Sequence, residues 1–312
     1  MNISKILKST FYKVFSKGCL FYFPDSYGLG NTFIELGVLN YVFPEKVIFC
    51  IIFKGLNHKG EDHELEIFGN NIKVLKYFWG PLERVFIILV KKFFKFVTKL
   101  RIISFIGEKR INNTAFDISI KKGIFSKIVF VKEGCHFQIP KYFNKISLPI
   151  DQNKEDQKLK YILKKDNKFL NLDLSKTCFV HIRRGDYLYW PDKQSPAVLD
   201  LNWYKKAINL INQKCDVEKF IIFTNDIFYV KDYFSDDKKS LIFHKDVISD
   251  FIFMSQCKYG ILSASTFSLL AAKISKNRYK SEQFFLAPKY WIGHRNKSWY
   301  PENLYFNWIE YI

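Results

Sequence analysis

TCFVHIRRGDYLYW, residues 177–190, is the stretch from which the fold can be read. Cys178 to Ile182 is an apolar run of strand length that leads straight into Arg183, Arg184, Gly185 and Asp186, with His181 near its end. Two adjacent arginines delivered by a buried strand to a glycine-containing turn are costly unless an anion meets them there. Open α/β sheets bind ligands outside the carboxyl ends of their strands, and the rigid guanidinium fork suits phosphate or carboxylate oxygens. The stretch therefore predicts a phosphate-bearing ligand at this turn.

Toward the carboxyl terminus the pattern becomes regular. The spacing predicts a helix over 202–212 and a strand over 218–224 that ends in Asn225 and Asp226. A strand over 241–244, a helix over 250–258 and a strand over 259–263 follow. Ser265 then opens a helix running to 274, and 284–287 reads as the final strand. Strands alternating with helices of this length imply a mainly parallel sheet covered on both faces. Ser265 is a candidate cap, and with Thr266 and Ser268 it marks a helix start whose amides suit a phosphate; ordinary capping without a ligand accounts for the same residues.

Toward the amino terminus, 19–24 reads as a strand, Gly28-Leu29-Gly30-Asn31 as a turn and 32–40 as a helix. Small residues at such a turn let a ligand approach the backbone, although a lone GxG is also an ordinary turn. Residues 46–56 read as a buried strand, followed by a polar connection holding His58 and His63, whose spacing of five does not match HExxH; no metal is expected. From Pro81 a helical period sets Arg84, Lys91, Lys95 and Lys99 on one side and Phe86, Leu89, Phe93, Phe96, Val97 and Leu100 on the other. Two readings fit, an interfacial amphipathic helix and a basic-faced helix packed on the core. Residues 125–131 read as a strand. The charged stretch 151–170 reads as a connection or exposed helix, with a domain boundary placed near 160.

Hydrophobic residues make up 48% of the 312, including 33 Phe and 18 Tyr, which excludes a disordered chain and predicts a substantial core in one large or two smaller domains. The formal charge of +19 suits nucleic acid, an anionic membrane or phosphorylated substrates. That charge is spread along the chain without a recognisable RNA- or DNA-binding motif, so nucleic acid is not the expected partner. Six scattered cysteines form no CxxC pair and suggest a reduced, cytoplasmic protein. Lysines interrupt the amino-terminal apolar residues too often for a signal-peptide core, and no apolar run reaches the roughly 20 residues of a spanning helix.

Five blocks taken in order resemble the family 11 glycosyltransferases, the bacterial α-1,2-fucosyltransferases and their relatives. They are GLGN at 28–31, HIRRGDY at 181–187, IIFTND at 221–226, DFIFMSQCKYGILSASTFSLLAA at 250–272 and APKYW at 287–291. Departures from the family pattern are Thr32 where glutamine usually follows GLGN, FTND for FSDD, and Leu269-Leu270 where paired tryptophans often stand.

The resemblance implies an α/β, GT-B-like architecture of two Rossmann-like domains with parallel sheets: an acceptor-side domain over 1–160 and a nucleotide-sugar-binding domain over 161–312. It also implies inverting, metal-independent transfer of fucose from GDP-fucose to a glycan hydroxyl, the 2-hydroxyl of a galactoside in this subgroup. Arg183 and Arg184 become candidates for the diphosphate, and Asp186 for orienting an arginine or for catalysis. His181, Asn225, Asp226, Ser265, Thr266 and Ser268 become candidates for the nucleotide, with Gly28, Gly30 and Asn31 on the side of donor and acceptor. Work on surface glycans would place the protein at the inner face of the cytoplasmic membrane, in peripheral contact with anionic lipid. Two alternatives stay open on the residues alone, transfer of another sugar from a nucleotide donor and a basic nonenzymatic nucleic-acid-binding protein.

Overall fold

The computed structural model describes residues 14–24, 28–53, 68–69, 71–77, 83–111, 116–148, 150–234, 237–280, 282–290 and 305–312. His58, His63, Trp291 and the side chain of Arg84 lie outside them. The chain divides into two compact units, Met1–Gln152 and Asn153–Ile312. Residue 160 lies inside a helix, Gln152–Lys165, which buries Glu155 and Ile162.

In the first unit six strands pair in the order β3-β2-β1-β6-β4-β5. They are β1 (Cys19–Tyr22), β2 (Val47–Phe53), β3 (Ile72–Tyr77), β4 (Ile103–Arg110), β5 (Phe116–Lys121) and β6 (Phe125–Val131). All neighbours are parallel except the β4/β5 edge pair. Helix α1 (Leu29–Val42) buries Phe33, Ile34, Leu36, Val38 and Leu39. Helix α2 (Glu83–Lys99) ends four residues before β4, which the long apolar-basic period had hidden. Arg101 turns the chain with φ of 56°, and the buried positions of Ile103, Ser104, Ile106 and Gly107 belong to a strand.

Helix α2 does not divide as its period suggests. Phe86, Val90, Phe94 and Val97 pack on the core with Phe21, Phe23 and Phe130, whereas Leu89, Phe93, Phe96 and Leu100 are exposed. Phe94 stacks on Phe130 at 4.8 Å. A short helix, α3 (Pro140–Phe143), follows β6.

The second unit begins inside the 152–165 helix, α4, and orders its strands β12-β11-β10-β7-β8-β9, all pairs parallel. The strands are β7 (Thr177–Ile182), β8 (Lys219–Thr224), β9 (Ser240–Phe243), β10 (Tyr259–Ile261), β11 (Phe284–Ala287) and β12 (Glu310–Tyr311). The expected last strand, β11, is therefore followed by one more, too short for a sequence signal. Counted from β7, the order is 3-2-1-4-5-6 of the dinucleotide-binding doubly wound sheet, with its topological switch point between β7 and β10.

Helices α5 (Leu201–Lys214), α6 (Ile227–Phe234), α7 (Val247–Gln256) and α8 (Thr266–Tyr279) complete the unit. The helix expected over 250–258 starts at Val247 because Asp246 caps it through the Ser249 amide at 2.8 Å.

Every residue of β7 is buried. Val180 and Ile182 join Ile208, Ile211 and Val230 on one side, while His181 meets Phe267 and Phe179 meets Phe285. Phe169, Phe223, Phe243 and Phe253 form an aromatic cluster with centroid separations of 5.0–5.6 Å. Burial of each ring contributes about 2 kcal/mol or more, and edge-to-face geometry adds a fraction of that. Two apolar faces on one parallel strand explain why β7 reads as a continuous apolar run.

Candidate functional site

The carboxyl ends of β7, β8 and β10 carry the second unit's candidate site residues. After Ile182 the chain turns through Arg183 and Arg184 into a 3-10 turn, Gly185–Leu188, where Gly185 has φ of 60° and relieves the strain a side chain would bring. Arg184 is held from several directions. Its amide donates to Asn225 Oδ1 at 2.8 Å, its Nε donates to Asp226 Oδ2 at 3.0 Å, and its guanidinium lies 3.3 Å from the Tyr229 ring centroid. Asp226 is fixed in turn, its Oδ1 accepting the Tyr229 amide at 3.2 Å and its own amide donating to Thr224 Oγ1 at 3.0 Å. Such bracing aligns a guanidinium before an anion arrives, which reduces the side-chain entropy lost on binding.

Arg183 is more open. Its Nη2 donates to Asp186 Oδ1 at 2.7 Å, and its guanidinium sits 5.5 Å from the Tyr187 ring. Asp186 is thus paired with Arg183. Tyr187 donates to the Ala264 carbonyl at 2.8 Å, which ties the arginine turn to the end of β10.

His181 crosses the switch point in the same way, its Nδ1 2.8 Å from Ser263 Oγ. It is 6% exposed, and burial, assisted by Arg183, lowers its pKa to about 3, so the ring is neutral across the physiological range. The structure gives His181 the work of holding Ser263. Ser265 caps α8 through the Phe267 amide at 3.3 Å, and buried Ser268 bonds the carbonyls of Ser265 and Ser263 at 3.2 and 3.4 Å. Thr266 is the first residue of α8. These residues shape the loop and helix start on the far side of the switch point from the arginines.

In the first unit, Gly28 has φ of 91° and precedes α1, with open space where a side chain would stand. Gly30 is buried in the first turn of α1. Asn31 Oδ1 accepts from Gln138 Nε2 at 3.0 Å. This pair spans that unit's own strand-order reversal, because α1 follows β1 and residues 132–138 follow its neighbour β6.

A second pair does the same, Glu35 Oε1 lying 3.4 Å from His136 Nδ1. Glu35 is 5% exposed, takes a hydrogen bond from Tyr22, and has its pKa raised to about 7 by burial, with Glu108 adding to the rise and His136 opposing it. Sequence reading missed His136, Gln138, Glu35, Tyr229 and Tyr187. Only topology pairs the first three, and aromatic residues near an arginine give no distinctive spacing. Among the described residues no three His, Cys, Asp or Glu side chains converge on a metal-sized site.

A family model described as glycosyl transferase family 11 matches residues 137–309, more than half of the chain. The chain belongs to glycosyl transferase family 11. The match runs from Phe137 through the whole of the second unit's arginine turn and switch point. The chain is 28% identical over 129 residues to the O-antigen biosynthesis glycosyltransferase WbnK of Escherichia coli, covering 40% of this chain and 42% of the relative. It is 24% identical over 102 residues to galactoside alpha-(1,2)-fucosyltransferase 2 of Rattus norvegicus, covering 31% and 29%. These alignments span well under half the length of the curated relatives. The crystal structure of fucosyltransferase NodZ from Bradyrhizobium aligns with a TM-score of 0.41 at 11% identity, covering 81% of this chain and 92% of that one.

Proposed function

We propose that this family 11 protein transfers fucose from GDP-fucose, with inversion, to a hydroxyl of a surface glycan, the 2-hydroxyl of a galactoside. The observation that carries the reading is the braced Arg184, held by Asn225, Asp226 and Tyr229 beside the switch point of a dinucleotide-type sheet. Sheets of this order bind nucleotides at that crevice, and arginine is the side chain best matched to a diphosphate. The rat relative is named for the α-(1,2) galactoside reaction and the Escherichia coli relative for O-antigen biosynthesis. Together these names favour a fucosyl donor and a surface-glycan acceptor.

In this reaction the acceptor oxygen bonds to the anomeric carbon as the bond from that carbon to the β-phosphate oxygen breaks, the electron pair leaves with GDP, and the hydroxyl proton passes to a carboxylate or to the departing diphosphate itself. Negative charge grows on the departing diphosphate. Arg183 and Arg184 stabilise it more strongly than they stabilise the ground state, and that difference lowers the barrier. The reading assigns this work to guanidinium groups without a metal. The second unit carries the nucleotide sugar and the first the acceptor side, where Asn31, Gln138 and the His136–Glu35 pair supply polar groups. From the surface-glycan acceptor we infer a location at the inner face of the cytoplasmic membrane.

The test is a donor and acceptor screen with the full chain, using GDP-fucose, GDP-mannose and UDP-galactose against lactose-type galactosides, with product linkage read by NMR and chelator added in parallel. The reading expects a chelator-insensitive α-1,2-fucosylated product from GDP-fucose. A preference for a UDP-sugar would overturn the donor, and a different linkage would overturn the acceptor assignment.

A further inference from the structure

Helix α2 has more apolar surface than its packing uses. One face is in the core, as described above. A second stripe points outward, with Val85 55%, Leu89 59%, Phe93 60%, Phe96 59% and Leu100 52% exposed. At about 100° per residue these five fall within an arc roughly 80° wide. The adjoining arc holds Lys92, Lys95 and Lys99, all exposed.

The stripe continues beyond the helix. The amides of Ile124 and Phe125 each donate at 2.8 Å to the carbonyls of Arg101 and Ile102, which sets Ile124 (78% exposed) and Phe125 (58%) at the carboxyl end of α2. Exposed Arg101, Lys121 and Lys122 flank that end. Large contiguous apolar patches are rare on free soluble surfaces and mark an interaction site.

We propose that this face of the first unit docks on the surface of an anionic lipid bilayer. Charge decides the occupant. The apolar stripe, which exposed Ile88 widens near its start, is bordered by Lys92, Lys95 and Lys99 over the second half of the helix and by arginine and lysine at its end, and the chain carries a formal charge of +19. An anionic headgroup layer complements that border, whereas a second copy would set lysine against lysine. The mode is parallel to the surface, because among the described residues no helix is long and apolar enough to cross a membrane. The Phe and Leu side chains enter the boundary between headgroups and acyl chains while the lysines remain at the phosphates. This inference deepens the membrane location of the proposed function, yet it is independent of the donor, so binding can be measured without any transfer.

The experiment is vesicle flotation of the full-length protein with phosphatidylcholine alone and with phosphatidylcholine plus phosphatidylglycerol, at low and physiological salt, alongside sedimentation without lipid. Two variants accompany it, F93S/F96S and K92Q/K95Q/K99Q. Both alter exposed side chains, and because the Phe93 ring also touches core-facing Phe94 at 5.8 Å, the fold of each variant is checked by circular dichroism. The wild type is expected to float with the anionic vesicles and to weaken with salt. The triple lysine variant is expected to bind roughly a hundredfold more weakly, at about 1 kcal/mol for each lysine lost. The double Phe variant is expected to lose at least tenfold at either salt. Wild type that fails to float with anionic vesicles at low salt, or variants that float equally well, would overturn the proposal. A lipid-free dimer abolished by F93S/F96S would reassign the face to a second copy and overturn it as well.

Discussion

Arg184 lies with its guanidinium 3.3 Å from the centre of the Tyr229 ring. The Asp226 carboxylate takes its Nε at 3.0 Å from the side. Cation–π contact and ion pair together fix the plane of the fork, and the terminal amino groups carry no further bond among the described residues. Arg184→Lys keeps the charge and loses the plane. We predict a fall in kcat/KM of about a hundredfold with the fold unchanged by circular dichroism. Tyr229→Leu removes one brace and should cost about tenfold, most of it in donor affinity. Near-normal kinetics in both variants would show that the bracing is ornamental.

His181 supplies a pH signature for the second unit. An unfolded histidine takes a proton near 6.5, whereas the buried ring refuses one until about 3. Between those values the unfolded chain binds more protons than the folded one, so stability falls as pH is lowered through the window, by up to about 1.4 kcal/mol per pH unit. Hydrogen exchange of the β7 amides should accelerate from pH 6.5 toward 4 after correction for intrinsic rates. His181→Asn should flatten that dependence. Equal pH dependence in the two proteins would refute the assignment.

Glu35 gives the first unit the opposite sign. Burial raises its pKa from 4.5 to about 7, so the folded state holds a proton that the unfolded state has released. This contribution is present below about 4.5 and is lost as pH rises to about 7. The groups that surround the carboxyl are Tyr22, His136, Glu108, Cys50 and Cys135. Glu35→Gln should protect the α1 amides more than the wild type does at pH 8, by up to about 3 kcal/mol, and should match it near pH 5. A variant no better protected at pH 8 would contradict the cost assigned to the buried carboxylate.

Glu155 locks three helices of the second unit. Its carboxylate, 4% exposed, accepts from Gln256 Nε2 at 2.9 Å, from Ser255 Oγ at 3.2 Å and from Arg278 Nη2 at 3.2 Å. Removing it leaves the buried Gln256 amide without that acceptor and Arg278 without its carboxylate, while Ser255 keeps the Ile252 carbonyl at 2.8 Å. Glu155→Ala should cost about 3 kcal/mol, read as a lower denaturant midpoint. A midpoint within a few tenths of a kcal/mol of wild type would mean that water replaces the carboxylate at no cost.

The regular second unit was legible because each element carries its own signal. Strand β7 is apolar on both faces, and caps such as Ser265 mark helix starts. The arginine turn was legible because charged residues rarely end a buried strand without cause. The joint between α2 and β4 was not, since Leu100 to Ile103 continues the apolar period of the helix and only the turn at Arg101 breaks it. The apolar side of α2 was legible, but periodicity did not separate Phe86 and Val97, which pack on the core, from Leu89, Phe93, Phe96 and Leu100, which stay exposed. His136 and Gln138 lie about a hundred residues from Glu35 and Asn31, and only the pairing of β1 with β6 brings them together.

The central claim is that the turn after β7 holds a nucleotide diphosphate, and calorimetric titration of GDP and guanosine into wild type and Arg184→Gln tests it most directly. The account predicts that wild type binds GDP at least a hundredfold more tightly than guanosine, and that the variant keeps its guanosine affinity while most of the GDP advantage disappears. Equal affinity of wild type for GDP and guanosine, or an undiminished GDP advantage in the folded variant, would contradict it.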